Sequence, residues 1–187
     1  MGYSQAQKEK THKRIVAIAS KRFREKGLGI AELMKEAGLT VGGFYKHFQS
    51  RDELVAEALS DAFGTWQRQK EAAAASSGQP LSFEKLIDDY VSDAHRKNPG
   101  AGCAFSALAP EIARSDKRTR ALTSDLKADL ELIGGLLPGK DKRKARSRAI
   151  LTFSALVGAM SLARAVSDEA LLHEILKTVA NLLKHPA

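Results

Sequence analysis

The segment that most constrains the fold runs from residue 30 to residue 48 and reads IAELMKEAGLTVGGFYKHF. Its first half has apolar residues at helical spacing, which predicts a short amphipathic helix: Leu33, Met34 and Ala37. Gly38 is expected to end that helix, because glycine adopts the left-handed conformation without strain. Thr40 is a favourable N-cap for a second helix over residues 41–47. Two short helices joined by a glycine turn predict a helix-turn-helix unit, whose second helix enters the DNA major groove.

A wider set of residues supports this prediction. The sequence GFYKHF at residues 43–48 is followed by SRDEL at residues 50–54, and matching positions begin near residue 10 and end near residue 60. The other matching positions are Arg14, Ile15, Ala19, Phe23, Lys26, Gly27, Ala31, Glu32, Leu33, Ala37, Gly38 and Gly42. Together they resemble the N-terminal domain of the TetR family of transcriptional regulators. The resemblance implies a C-terminal helical domain that holds an effector pocket and a dimer face.

The rest of the chain has helical patterns, and no window alternates as a β-strand does. We therefore predict an all-α fold, with an N-terminal three-helix DNA-binding domain (residues 1–50) and a C-terminal helical effector-binding and dimerisation domain (residues 51–187). Ser50 is expected to cap the helix that follows it, with Glu53 completing a capping box. About nine helices are predicted: residues 4–26, 30–37, 41–47, 51–75, 82–96, 103–113, 116–137, 140–166 and 168–185. A break near Pro110 is left open, as is an omitted loop at the short turn of residues 27–30.

The charge is distributed unevenly along the chain. Residues 1–51 hold 11 Lys and Arg against 4 Asp and Glu, whereas residues 52–187 hold 19 against 18. The net charge of +8 therefore lies almost entirely in the segment with the helix-turn-helix. A basic surface supplies the salt-sensitive, sequence-independent part of DNA affinity. The alternative is a solvated basic helix, and the motif favours DNA contact.

Composition also predicts the location of the protein. A single cysteine rules out an intrachain disulfide and fits a reducing cytoplasm. The first residues lack the apolar segment of a signal peptide. The longest apolar run, residues 149–163, is shorter than the roughly 20 residues that span a bilayer. We expect a soluble cytoplasmic protein with no membrane partner.

No pattern in the sequence indicates an enzyme. Residues 134–140, GGLLPGK, resemble a phosphate-binding loop, but Asp141 replaces the Ser or Thr that holds magnesium. The five histidines lack metal-ligand spacing. We therefore expect no catalytic residue, no metal and no cofactor.

The DNA-contacting residues are expected in and around the second helix of the motif. Lys46 is the predicted main charge, and most contacts are expected to reach phosphate. Gly42 and Gly43 would allow close approach of the backbone to the duplex, although they could instead only ease the turn. The predicted contacts are Arg14, Thr40, Val41, Gly42, Gly43, Tyr45, Lys46, His47 and Arg51.

The effector pocket is expected among apolar residues of the central helices. Arg164, which is charged within an apolar run, would meet an acidic ligand group or an internal carboxylate, and the internal partner is favoured slightly. The predicted ligand-binding residues are Trp66, Tyr90, Cys103, Phe105, Leu108, Phe153, Met160 and Arg164.

The last two helices carry the predicted homodimer face, with internal core as the alternative for both stripes. The residues are Ile150, Phe153, Ser154, Val157, Gly158 and Ser161, followed by Leu172, Ile175, Leu176, Val179, Leu182 and Leu183.

Cys103 follows Gly102 and starts a predicted helix. A helix N-terminus stabilises a thiolate, and the Gly102–Cys103 pair resembles the sixth helix of TetR regulators that sense electrophiles. The alternative, which we favour, is a buried cysteine that serves as an apolar filler.

The function expected from these features is that of a sequence-specific DNA-binding regulator. The resemblance implies a repressor that a small effector releases from a double-stranded operator. The alternatives are a non-specific DNA-binding protein and an enzyme or carrier with a helical pocket. Neither the effector nor the operator sequence follows from the chain, and activation in place of repression stays open.

Overall fold

The computed structural model describes residues 5–26, 30–78, 80–114 and 120–186. Within these ranges the chain is helical and has no β-strand, which confirms the predicted all-α fold. The helices are α1 (Gln5–Lys26), α2 (Ile30–Glu36), α3 (Val41–Phe44), α4 (Arg51–Ser77), α5 (Phe83–Tyr90), α6 (Asp93–Lys97), α7 (Ala104–Arg114), α8 (Arg120–Leu136), α9 (Lys142–Ala165) and α10 (Glu169–Lys184), with a 3₁₀ turn at Pro99–Ala101 between α6 and α7. Residues 27–29, where an omitted loop was considered, lie outside the described residues.

The described residues form ten α-helices, one more than the nine expected, because the predicted helix over residues 82–96 is two helices. The Ser92 hydroxyl donates to the Asp89 carbonyl (2.8 Å) and accepts from the His95 N–H (3.2 Å). It therefore closes the end of α5 and caps the start of α6. The sequence pattern of residues 82–96 predicts one continuous helix, and the capping bonds of Ser92 divide it into two.

The helix-turn-helix forms as predicted up to α3. Gly38 has a left-handed φ of 71°, and Thr40 Oγ1 accepts from the Gly43 N–H at 3.2 Å. The apolar residues of the motif are buried: Leu33, Met34, Ala37, Phe44 and Phe48. Helix α3 is shorter than the expected 41–47, because the N–H groups of Lys46 and His47 bond three residues back instead of four. Two adjacent glycines weaken α-helix at this point.

Helix α7 runs through Pro110 without a break. Proline has no N–H, so the carbonyl four residues earlier, that of Ser106, loses its intrahelical partner. The Ser161 hydroxyl donates to that carbonyl at 3.0 Å, and it also reaches the Val157 carbonyl at 2.8 Å. A side chain of α9 thus replaces the missing bond and joins α7 to α9.

The C-terminal helices form a bundle in which α9 lies between α8 and α10, while α4 joins α1 to α8. By length and composition alone α9 could cross a membrane, with a mean hydropathy of 1.2 over an 18-residue window. The expectation from residues 149–163 was different, because that apolar run is shorter than the 18-residue window that α9 provides. Within the structure 39% of that window is buried, where α9 packs between α8 and α10.

Candidate nucleic-acid interface and effector-binding core

The residues around α3 present an exposed polar surface, which we call the recognition face. Tyr45 is 73% exposed, and its ring contacts only the edge of the buried Phe44 among described aromatic rings (5.2 Å between centroids). The recognition face consists of Thr40, Gly42, Tyr45, Lys46 and Arg51. Gly43 is half-buried beside it, and the side chain of Val41 lies outside the described part of the structure. These five predicted contacts are thus exposed to solvent around α3.

Neither glycine of α3 is required by the internal packing of the protein. A Cβ on Gly42 would meet nothing within 4 Å, and one on Gly43 would make ordinary contacts with Thr40 and Leu39. Neither residue has a positive φ. Space that the protein itself does not use is therefore left open on the outer side of α3.

Two of the predicted contacts are engaged within the protein, Arg14 by a hydrogen bond and His47 by partial burial. The Arg14 guanidinium donates to the Ala37 carbonyl at 2.8 Å and thereby caps the end of α2. His47 is half-buried, and its Nδ1 has no hydrogen-bond partner in the described part of the chain. Burial, together with the nearby His12, Lys8 and Lys46, lowers the pKa of His47 below its ordinary range. Both residues help to hold the recognition face in place.

Ion pairs fix α2 against α1. The Arg22 guanidinium reaches Glu32 and Glu36, each at 2.7 Å, and its side chain is only 16% exposed. The two carboxylates lie on the same side of α2, four residues apart. Arg22 therefore sets the rotation of α2, and through the Gly38 turn the position of α3.

His12 joins α1 to the end of the motif, and no sequence pattern indicated this contact. Its Nδ1 lies 3.2 Å from the His47 carbonyl, and its Nε2 lies 2.7 Å from Glu57 Oε2 on α4. Its ring stacks on Phe48 at 4.4 Å. Ser50 caps α4 as predicted, because its hydroxyl accepts from the Glu53 N–H at 3.2 Å. A capping box would also need the Glu53 carboxylate to accept from the Ser50 N–H, but it accepts from the Gln49 N–H instead, so the predicted capping box is incomplete.

The loop of residues 98–103 is the junction between the N-terminal helices and the bundle. The buried guanidinium of Arg24 donates to the carbonyls of Gly102 (3.2 Å) and Ala62 (3.3 Å), so α1 holds both the loop and α4. His95 Nδ1 lies 2.6 Å from the Tyr90 carbonyl, and its Nε2 accepts from the Cys103 N–H at 2.9 Å. Gly102 is necessary here, because a Cβ would come within 2.4 Å of the His95 ring.

The predicted pocket residues lie in the buried centre of the bundle. Tyr90, Phe105, Leu108, Phe153 and Met160 are all at most 7% exposed. The Phe105 ring meets Phe153 edge-on at 5.4 Å. The side chain of Trp66 lies outside the described part. In this closed arrangement an effector would have to separate side chains that pack together.

Arg164 has internal partners, as favoured, but they are not carboxylates. It donates to the carbonyls of His95 (2.8 Å) and Arg96 (3.2 Å) and to the Ser106 hydroxyl (2.9 Å). The carbonyls belong to α6, close to its C-terminal end, where the helix dipole attracts a cation. This explains how a charged residue is accommodated within an apolar stretch of α9.

Cys103 is 1% exposed and lies just before α7. Burial raises the pKa of its thiol, and this effect exceeds the lowering by the nearby Tyr90 side chain and the backbone of Ser106 and Phe105. The expected activation by a helix N-terminus is therefore outweighed. Both observations favour Cys103 as a packed side chain.

The predicted dimer stripes divide between core and surface. Phe153, Leu172 and Leu176 are buried inside the subunit, which corrects their assignment to an outer face. The large exposed apolar side chains of α9 and α10 are Ile150, Leu151, Leu162, Leu171 and Leu182. Ser154 and Gly158 are also exposed, and a Cβ on Gly158 would meet nothing within 4 Å. These seven residues make up what we call the outer apolar face.

A cavity of about 760 Å³ opens between the start of α9 and the end of α10, beside Leu151 and Leu182 of the outer apolar face. It was not expected, and it lies apart from the predicted pocket residues. Its other lining residues are Asp141, Arg143, Lys144, Ser147, Arg148, Thr152, Leu183 and Pro186.

These features define a class: a helix-turn-helix DNA-binding domain joined by a long helix to a helical bundle. Within the described residues no group of three His, Cys, Asp or Glu side chains could hold a metal ion. A profile of the family described as bacterial regulatory proteins, tetR family, matches residues 15–58. Residues 15–58 thus match the DNA-binding domain of the TetR family, as the sequence predicted, and regulators of this family are DNA-binding transcription factors and not enzymes.

Solved structures extend this similarity to the fold of the whole chain. A TetR transcriptional regulator from Chloroflexus aurantiacus is 22% identical, with a TM-score of 0.73 over 97% of this chain and 98% of its own. The reduced form of NemR from Escherichia coli is 16% identical, with a TM-score of 0.70 over 94% and 95%. FadR from Bacillus subtilis in complex with stearoyl-CoA is 14% identical, with a TM-score of 0.61 over 92% and 97%. A comparison with curated protein sequences gives no significant match.

Proposed function

We propose that this protein is a cytoplasmic, homodimeric repressor that binds a double-stranded operator and leaves it when a small effector binds. The observation that carries the proposal is the recognition face, a polar and basic surface that the protein leaves uncovered around α3. The concentration of positive charge in residues 1–51 gives the same segment its affinity for phosphate. Residues 1–50 would act as the DNA-binding domain and residues 51–187 as the effector-binding and dimerisation domain.

The outer apolar face supports the homodimer. Large apolar side chains of α9 and α10 are exposed to solvent, and the small residues Ser154 and Gly158 of α9 are exposed as well. Small residues let a second helix approach closely, and two helices from each subunit make a four-helix interface. A two-fold dimer would hold its recognition faces about 34 Å apart, the spacing of successive major grooves.

The junction loop supports release by an effector. Arg24 binds the carbonyl of Gly102 next to Cys103 and the pocket residues, and it lies on α1, which also carries His12 and Arg22. An effector that separated α7 from its neighbours would move this loop and therefore α1. The two recognition faces would then no longer match the groove spacing. The structural relative FadR, solved with stearoyl-CoA, is an example of a bound small molecule in this fold.

The proposal is tested by selecting bound duplexes from a random pool, then repeating the selection with a library of candidate small molecules. The expected result is one enriched sequence with two-fold symmetry, whose recovery falls when the cognate molecule is present. A salt titration on the enriched duplex and on a random duplex follows. Equal affinity for both duplexes at every salt concentration would make the protein a non-specific DNA binder and overturn the proposal.

A further inference from the structure

Helix α9 begins with a basic segment that the DNA-binding argument does not use. Residues 140–148 contain six Lys and Arg against one acid, Asp141. The Asp141 carboxylate accepts from the N–H groups of Arg143 (3.0 Å) and Lys144 (3.1 Å) and so caps α9. No described carboxylate forms an ion pair with a cation of this segment. The described part of the chain therefore leaves most of this positive charge uncompensated.

The basic segment lies at the end of α9 that is remote from the junction loop. Arg164, near the other end of the helix, bonds the carbonyls of α6 beside that loop. Arg143 lies roughly 32 Å from Arg164 along the helix axis, at about 1.5 Å per residue. Over this length α9 packs on α7, α8 and α10. The basic segment therefore belongs to the bundle, and a duplex at the recognition face does not explain it.

The cavity of about 760 Å³ between α9 and the end of α10 opens beside this segment. Leucines of both helices form an apolar part of its wall, and three cations line it as well: Leu151, Leu182 and Leu183, with Arg143, Lys144 and Arg148. Small-molecule sites have volumes of about 300–1,000 Å³ and combine apolar walls with a few polar groups. The cavity has both properties, and the charge around it is mainly positive.

Two polar residues of the wall, Arg148 and Thr152, favour an anionic ligand group. Arg148 Nη2 donates to the Leu183 carbonyl at 3.3 Å, and the guanidinium lies 5.3 Å from the centre of the Phe83 ring. These contacts fix the guanidinium, whose other N–H groups bond no described residue.

Thr152 lies one turn after Arg148, on the same side of α9. It is fully buried, and its Oγ1 has no hydrogen-bond partner within the described residues. A helical threonine has two accessible χ1 rotamers, so its hydroxyl can turn toward the cavity without breaking an internal bond. A buried hydroxyl without a partner is unfavourable, and a ligand acceptor at the cavity would remove this cost.

We propose that this cavity binds a small carboxylate with an apolar body. The carboxylate accepts from Arg148 and Thr152, and the apolar body lies against Leu151 and Leu182. A planar carboxylate matches the donor geometry of a guanidinium, while Arg143 and Lys144 add attraction at longer range. The site lies apart from the predicted effector pocket, so the inference goes beyond the proposed function.

Binding to the full-length protein is measured by calorimetry at neutral pH with four probes: octanoate, acetate, 1-octanol and octylamine. Octanoate should bind at least tenfold more tightly than each of the others, because only octanoate supplies both the negative charge and the apolar body. In Arg148→Gln, octanoate and 1-octanol should bind within about twofold of each other. The control Arg146→Gln removes an exposed cation that does not line the cavity and should retain the preference for octanoate.

Thr152→Val is the second variant and keeps the test decisive if Arg148→Gln does not fold. It should weaken octanoate binding at least threefold, because a hydrogen bond to a charged group is lost. Its urea midpoint should not fall below that of the wild type, because the hydroxyl has no internal partner to leave unpaired. Octanoate affinity that is unchanged in Thr152→Val would overturn the proposal.

The remaining outcomes concern the wild type. No octanoate binding at millimolar concentration, preference for the amine or the alcohol, or acetate binding as tight as that of octanoate would each overturn the proposal. Leu151 and Leu182 also belong to the outer apolar face, so a second subunit is the rival occupant. Gly158→Arg adds a charge to that face to separate the subunits. Octanoate binding by this variant but not by the wild type would show that the partner subunit fills the cavity, which also overturns the proposal. Because the measurement contains no DNA, it does not depend on the operator of the proposed function.

Discussion

Lys46 is an exposed cation on the recognition face, and no described group pairs with it. A lysine that contacts phosphate adds affinity without reading sequence. Lys46→Ala should therefore weaken binding to all duplexes by a similar factor and reduce the slope of log Kd against log salt by about one. Fluorescence anisotropy at several salt concentrations measures both quantities.

Lys177→Ala, on the exposed side of α10, is the matched control and should leave the salt slope unchanged. A loss confined to the operator, with random duplexes bound as before, would mean that Lys46 reads bases.

Asp129, a buried residue of α8, makes the free energy of unfolding of this protein depend on pH. Its pKa is about 7 in the folded state, against an ordinary value of 3.8. Between these values the folded state holds a proton that the unfolded state has lost, so stability falls as pH rises. The groups that act on it or feel its charge are Asp125 on the same helix and Cys103 from the start of α7.

We predict that the free energy of unfolding of Asp129→Asn, taken relative to that of the wild type, rises by about 3 kcal/mol from about pH 5 to about pH 8. Urea unfolding of both proteins at these pH values gives the difference directly and cancels the titration of other groups. A difference that stays constant with pH would mean that Asp129 keeps an ordinary pKa in the folded protein.

The sequence predicts the roles of residues that act locally much better than those of residues whose contacts are distant in the chain. Gly38, Thr40 and Ser50 act through local backbone geometry, and all three take the expected conformations or bonds. Arg24 and His12 act through carbonyls and a carboxylate more than 30 residues away. No local pattern encodes such a distance, so these contacts could not be predicted. Asp129 did leave a signal, an acid on an apolar helical stripe.

At the level of elements, α3 contains two glycines that the fold does not need. Alanine is favoured over glycine in a helix by about 1 kcal/mol, and a Cβ would enter open space at Gly42 and make only ordinary contacts at Gly43. Gly42→Ala and Gly43→Ala should therefore raise the free energy of unfolding by up to about 1 kcal/mol each while weakening operator binding. Thermal unfolding and anisotropy test the two effects separately.

Gly135→Ala on α8 is the control, because its Cβ also enters open space. It should stabilise the protein without affecting DNA. Full operator binding by both α3 variants would show that these glycines only ease the turn.

The continuity of α7 depends on one hydroxyl of α9. Ser161→Ala leaves the Ser106 carbonyl without its donor and should cost about 1–3 kcal/mol. Pro110→Ala restores the backbone N–H that bonds this carbonyl in an ordinary helix. In a double-mutant cycle, Ser161→Ala should therefore cost roughly 1 kcal/mol less in the Pro110→Ala background than in the wild type.

Urea unfolding of the four proteins measures this coupling, and Ser147→Ala, at an exposed serine of α9 outside the outer apolar face, should change little in either background. Equal costs of Ser161→Ala in the two backgrounds would contradict the compensation. Sequence alone left a break at Pro110 open, because the compensating group lies on another helix.

At the scale of the molecule, the outer apolar face ties DNA binding to subunit association. Gly158→Arg places a charge where a partner helix is expected, at a position with free space in the subunit itself. The variant should fold, sediment as a monomer at micromolar concentration and bind the operator at least tenfold more weakly, since half of the contacts are lost. Ser124→Arg adds the same charge to an exposed site on α8 and should remain dimeric. A wild-type protein that sediments as a monomer would refute the dimer.

The bonds of Arg24 have a consequence for comparing and recombining such proteins. Both acceptors, the carbonyls of Ala62 and Gly102, are main-chain atoms, which every residue type provides. Covariation between aligned sequences would therefore miss this contact, because no partner side chain has to change with the arginine. A chimera that grafts residues 1–50 onto a different bundle would keep the linkage wherever the backbone follows the same path. Its transferability is decided by geometry and not by sequence identity.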